Sequence, residues 1–178
     1  MTPTLLLEDM KVELERLFVD HRLPNVMGEE KPIAIYIQDV PIRKGPDVDG
    51  YADIDVSQEQ FGEKAETPEP YILLRARSGK IDDATADHAV RVVILLCVWD
   101  GDRERQGHRD VLHLIHRIYE RFAKDPVLND RYHMEYPIEW STADEDNHPY
   151  YFGGMALGFA MAAIHRVPPW QQKIEMEA

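Results

Sequence analysis

Residues 107–126 read GHRDVLHLIHRIYERFAKDP, residues 131–140 RYHMEYPIEW, residues 149–155 PYYFGGM and residues 156–166 ALGFAMAAIHR. In the first segment Val111, Leu112, Leu114, Ile115, Ile118, Tyr119 and Phe122 recur at helical spacing, with His113, Arg117 and Glu120 opposite. This predicts an amphipathic helix from about Gly107 to Lys124, ended by Asp125-Pro126. The second segment reads as a strand from Tyr132 to Trp140, and Pro137 places it at a sheet edge or at a bulge. In the last, Met155, Leu157, Phe159 and Met161 alternate with Ala156, Gly158, Ala160 and Ala162. That period of two predicts a strand with one bulky and one smooth face. Ala, Met and Leu favour helices, but Gly153, Gly154 and Gly158 weigh against one.

Working outward, Thr2-Pro3 suits an N-cap and first helical position. Leu6, Leu7, Met10, Leu14, Leu17 and Phe18 then share one stripe of a first helix, with Glu8, Lys11, Glu15 and Arg16 turned away. Pro24 is expected to stop this helix near His21-Arg22. Ile33 to Gln38 is a β-branched run bounded by Pro32 and Pro41, hence a strand. Tyr71 to Arg77 is another, ended by Ser78-Gly79-Lys80, with a turn at Asp82 to Thr85. His88 to Trp99 is apolar on both faces, the signature of a central strand covered on both sides. Residues 39–70 carry Pro41, Gly45, Pro46, Gly50, Gly62, Pro68 and Pro70 among dense charge. A connection that long is uncommon unless it works, so an extended arm or hairpin is expected there, with Asp53 to Val56 a short strand within it. The fold expected is α+β: a single domain, residues 1–166, with a mainly antiparallel sheet, two amphipathic helices packed on it and the long connection at 39–70. Residues 167–178 read as a loose tail.

The chain has 178 residues, 44% hydrophobic and 30% charged, which suits a folded domain with a proper core. No apolar run approaches the roughly 20 residues that span a bilayer, and no basic lead precedes Leu5-Leu6-Leu7 as in a signal peptide. The single cysteine, Cys97, excludes an internal disulfide and fits a cytoplasm. A net charge of −13 without clustered Lys and Arg argues against tight binding to nucleic acid or an anionic membrane. It describes either a solvated acidic surface or the wall of a channel past which nucleic acid slides.

Chemistry is sparse. His108, His113 and His116 crowd one helix, but a metal would need a further carboxylate or histidine to close its shell, and these positions read as solvated surface. Asp47, Asp49, Asp53 and Asp55 suggest a calcium loop until counted: Ala52 stands where its glycine belongs and Gln58 where its glutamate belongs. Asp144-Glu145-Asp146-Asn147-His148 holds acid, base and ligand types, yet neighbours in a loop seldom converge on one point. Cys97 sits in a strand, and Ser57, Ser78 and Ser141 lack a nucleophile-elbow context. Trp140, Tyr150, Tyr151 and Phe152 suit core and turn packing or stacking on a partner. No catalytic, cofactor or metal residue is assigned.

From Leu5 to Arg166 the element order and texture resemble tail terminator (tail completion) proteins of long-tailed phages and prophages. The resemblance lies in IYIQDVP before a charged connection, PYILLRARSGKIDD leading to a strand ending VWDGD, the helix GHRDVLHLIHRIYERF, then YPIEW, PYYFGGM and AAIHR. It implies a non-enzymatic assembly part: an α+β subunit forming a hexameric ring with copies of itself. That ring would cap the tail tube protein and meet the head–tail connector in the host bacterial cytoplasm, then stay in the virion tail with DNA passing through its lumen. No cofactor and no membrane partner are implied. The 39–70 connection and Pro168-Pro169-Trp170 depart most from the family texture. The contact residues expected on this reading are Arg43, Lys44, Asp47, Asp49, Tyr51, Phe61 and Trp170. Two other readings stay open: a different neck or head-completion part, and a small metal-dependent hydrolase built on the histidine helix.

Overall fold

The first helix, α1 (Pro3–Leu17), begins where Thr2 Oγ1 accepts the Leu5 amide at 3.3 Å, with Pro3 in the first turn. The computed structural model describes residues 2–40, 69–83 and 86–162, and α1 is followed there by β1 (Arg22–Pro24), β2 (Glu30–Pro32), β3 (Ala34–Ile37), β4 (Tyr71–Lys80) and β5 (His88–Trp99). Then come α2 (Gly107–Lys124), β6 (Val127–Leu128), β7 (Tyr132–Thr142) and β8 (Tyr150–Met161). The proposed arm, its Asp53 to Val56 strand, the calcium-like aspartates and the 167–178 tail lie outside the described residues.

Among the described residues, six strands form one sheet in the order β3-β4-β5-β8-β7-β6, and β1 with β2 forms a separate hairpin. The fold is α+β, as expected. The sheet, however, is mixed: β3 runs parallel to β4, while every other pairing is antiparallel. β5 occupies the expected central place, with every residue from His88 to Trp99 registered against β8.

The core lies on one side of this sheet. Val90, Val92, Ile94, Leu96 and Val98 of β5 join Met155, Leu157, Phe159 and Met161 of β8 beneath the buried stripes of both helices. Phe122 of α2 meets Phe159 edge to face, with ring centroids 5.5 Å apart. Each such fully buried apolar side chain contributes about 1.5–3 kcal/mol by leaving water. Arg121 locks the helices together: it pairs with Glu13 of α1 and donates to the carbonyls of Asp125 at 2.5 Å and Val127 at 3.3 Å.

Four local expectations need correction. α1 ends at Leu17 rather than near His21-Arg22, because the backbone turns at Phe18 and Arg22–Pro24 is already paired with Glu30–Pro32. β4 does not stop at Arg77 but runs on to Lys80 through an irregularity between Ala76 and Ser78. On α2, Leu112 and Tyr119 are exposed rather than part of the buried face. Finally, among the described residues β5 is covered fully on one side and only in part on the other. On that second face Cys97 is buried, Val93 and Leu95 are half-buried and Arg91 is exposed, and no described helix lies on it.

Candidate interaction surface

The residues that looked most chemical do not converge. His113 stacks on His21 with centroids 5.3 Å apart, whereas His116 faces Glu120 at 3.6 Å on the outer side of α2. His108 lies elsewhere, in a cavity of about 170 Å³ with His148, Glu145 and Asp146. Among the described residues, no group of three His, Cys, Asp or Glu side chains could hold a metal ion. The acidic loop is occupied with its own structure: Arg105 pairs with Asp146, whose Oδ1 also accepts the His148 amide at 3.3 Å. That arginine holds the Asp146 carboxyl below the ordinary carboxylate range.

Cys97 is buried, and burial first, then the nearby Glu69 carboxyl, pushes its thiol pKa up to about 12. The thiolate is the nucleophile, so at neutral pH this sulfur is a small apolar group that contacts Tyr71.

The second face of the sheet is the distinctive surface. The antiparallel pairings set Arg75 beside Val93, then Ala156, then Glu139 in one row across β4, β5, β8 and β7. In the adjoining row lie Leu73, Leu95, Gly154 and Ser141. The β5 column is therefore bulky and the β8 column is small, as the alternation in residues 155–162 implies. Arg91 reaches over β8 to Glu139, and Arg75 donates to Asp39 Oδ1 and the Gln38 carbonyl, each at 2.7 Å. Two concavities of about 460 Å³ each open here, lined by sheet residues together with Asp39 and Val40.

The sheet also presents an open edge. β6 covers β7 only at Tyr132 and His133, leaving the strand beyond unpaired on that side among the described residues. Pro137 sits in the register shift between Glu135 and Glu139, so both the edge and the bulge expected of it are present. A proline, glutamates and a bulge are the usual devices that blunt an edge against indiscriminate pairing. Trp140, expected in core or turn packing, is 58% exposed, with Tyr136 nearby at 68%. Tyr151, in contrast, packs against the core and over Gly107.

All seven expected contact residues, Arg43, Lys44, Asp47, Asp49, Tyr51, Phe61 and Trp170, lie outside the described residues. The surface built from β4, β5, β7 and β8 was missed in the sequence because its rows join residues 81 positions apart, Leu73 with Gly154 and Arg75 with Ala156. Its one legible sign was the small-residue alternation of β8. No family model matches the chain, and no curated protein matches it.

Proposed function

We propose that this protein is a structural part of a long-tailed phage or prophage, a tail terminator that forms a ring on the end of the tail tube. The reading rests on the resemblance of Leu5 to Arg166 to that family. It is supported by the order of the elements along the chain, where the expected helix, strand, connection, strands β4 and β5, helix, and strands β7 and β8 recur with β1, β2 and β6 added. A helix-backed sheet with one face that no described helix covers, and an edge that is blunted but open among the described residues, suits a subunit that gains its remaining contacts by assembly. On this reading the protein is not an enzyme. Its partners are its own copies, the tail tube protein and the head–tail connector, and its place is the host cytoplasm during assembly and then the virion tail.

The connection at 39–70 is proposed to supply the contact, through Arg43, Lys44, Asp47, Asp49, Tyr51 and Phe61, with Trp170 adding to it. A segment with few apolar residues gains most by lying on a neighbour. The test uses purified tail tubes of the same phage, viewed by electron microscopy after addition of the full chain. Capped tubes of uniform length are expected, and deletion of residues 43–66 should abolish capping. Tubes that the full chain never caps would overturn the assignment. Binding to head connectors instead would move the protein to another neck position.

A further inference from the structure

We propose that the sheet face that no described helix covers is a self-association surface, which pairs with the same face of a second copy about a two-fold axis running along the strands between β5 and β8. This goes beyond the ring reading, since a two-fold contact closes at two copies and builds no ring by itself.

Three features of the face choose this occupant. The first is shape. Such an axis lays the β5 column of each copy on the β8 column of the other. Val93 and Leu95 then sit over Ala156 and Gly154, which are half-buried and leave room. At the end of the columns Cys97 is already buried within its own chain, so the matched part of the face is Val93 and Leu95 against Ala156 and Gly154. A helix or an unrelated strand would not need this column-by-column match.

The second is charge. Arg75 and Glu139 end the same row on opposite sides of the axis. The two-fold therefore brings each arginine over the partner's glutamate, twice per pair, across sheets stacked about 10 Å apart, within reach of both long side chains. Within one chain, β4 and β7 are three strand spacings apart, roughly 14 Å, so these two groups do not meet there. The own-chain pairs Arg75–Asp39 and Arg91–Glu139 flank the new contact and extend it into a network.

The third is area. Four strands at about 4.8 Å spacing and about ten residues at about 3.3 Å each cover roughly 600 Å² in projection. Accessible area exceeds projection, and a standard interface takes about 800 Å² per partner. Aligned face-to-face sheets are an established way to bury such a surface.

Sedimentation equilibrium on the full chain is the test. A reversible dimer is expected over the micromolar range, and Ala156→Arg should leave only monomer while circular dichroism and melting stay as in the parent. Arg75→Glu and Glu139→Arg, each alone, set like charges against each other at both contacts and should weaken the dimer about tenfold or more. Mixing the two variants restores opposite charges at both contacts, so the mixture should regain the parent's affinity as a heterodimer. A parent that stays monomeric at high micromolar concentration, because its own chain or nothing covers the face, would overturn the proposal. So would an oligomer indifferent to both reversals, or variants that do not recover on mixing. The charge variants keep the proposal testable even if Ala156→Arg fails to fold, since both sites are on the surface.

Discussion

Single residues fix how closely the layers approach. Gly153 faces α2, and a Cβ there would run into Val111 Cγ1 closer than real Cβ atoms come, with Ile115 Cδ1 at 3.3 Å. Gly153→Ala should therefore destabilise the fold by about 1–3 kcal/mol, the usual result of overpacking, as urea denaturation would measure. The Glu13–Arg121 pair, about 15% exposed on each side, is the polar bolt between the helices. Cutting one partner of a buried pair costs about 3–5 kcal/mol when fully buried, so Arg121→Ala should cost somewhat less, about 2–3 kcal/mol. The His21–His113 stack gives the same junction a pH response. Burial first, then His113 and Arg117, lowers the His21 pKa from its ordinary 6.5, with Asp110 opposing. The unfolded chain thus takes up this proton more readily, and stability rises with pH in that window. His21's contribution is complete above about pH 6.5 and is lost as pH falls from there toward its folded pKa. The melting temperature should drop over that interval in the parent and drop less in His21→Gln; equal slopes would remove His21 from the explanation.

At the scale of elements, the ends of α1 show how much local sequence decides. Thr2→Ala removes the side-chain oxygen that accepts the Leu5 amide, and should cost about 1 kcal/mol; a change near zero would mean that water serves this cap as well. The N-cap, the β5 strand and the smooth-and-bulky β8 strand were legible because short-range period and chemistry fixed them. The turn into β7, which was not read in the sequence, is also set locally, with Asn129 and Asp130 both at positive φ and Arg131 N donating to the Leu128 carbonyl at 3.1 Å. The β1–β2 hairpin was not legible. Its strands are three residues each, and it is held by Asn25 Oδ1, which accepts the Met27 and Glu29 amides at 3.0 and 2.9 Å around Gly28 at φ 73°. The parallel placement of β3 was hidden for another reason: its partner β4 begins 34 positions beyond its own end, across the long connection. The two apolar faces of β5 were read as two covered faces, yet an apolar sequence records only that a face avoids water. Whether the cover comes from the same chain or another is decided by the rest of the molecule.

Across the whole molecule, stability should grade outward from β5. This strand is hydrogen-bonded to β4 on one side and β8 on the other, and its core-facing residues Val92, Ile94 and Val98 are fully buried. β8 is equally enclosed, between β5 and β7. The periphery is thin by comparison: β3 is four residues long at one edge, β6 is two at the other, and the β1–β2 hairpin stands outside the main sheet. Amides that open only with the whole domain exchange slowest, and those that fray locally exchange fastest. Hydrogen exchange followed by mass spectrometry should therefore find the slowest amides in residues 90–98 and 153–160, and the fastest among regular elements in residues 22–32 and 127–128. The face that no described helix covers does not alter this order in an isolated chain, because strand amides point along the sheet and are already paired on both sides in β5 and β8. Face-to-face association would instead slow exchange at the ends of β4 and in the bulged part of β7, where pairing is incomplete, as concentration rises. Protection in β5 no greater than in β3 would mean that the sheet opens from its centre, and would contradict the arrangement from which both the core and the exposed face are derived.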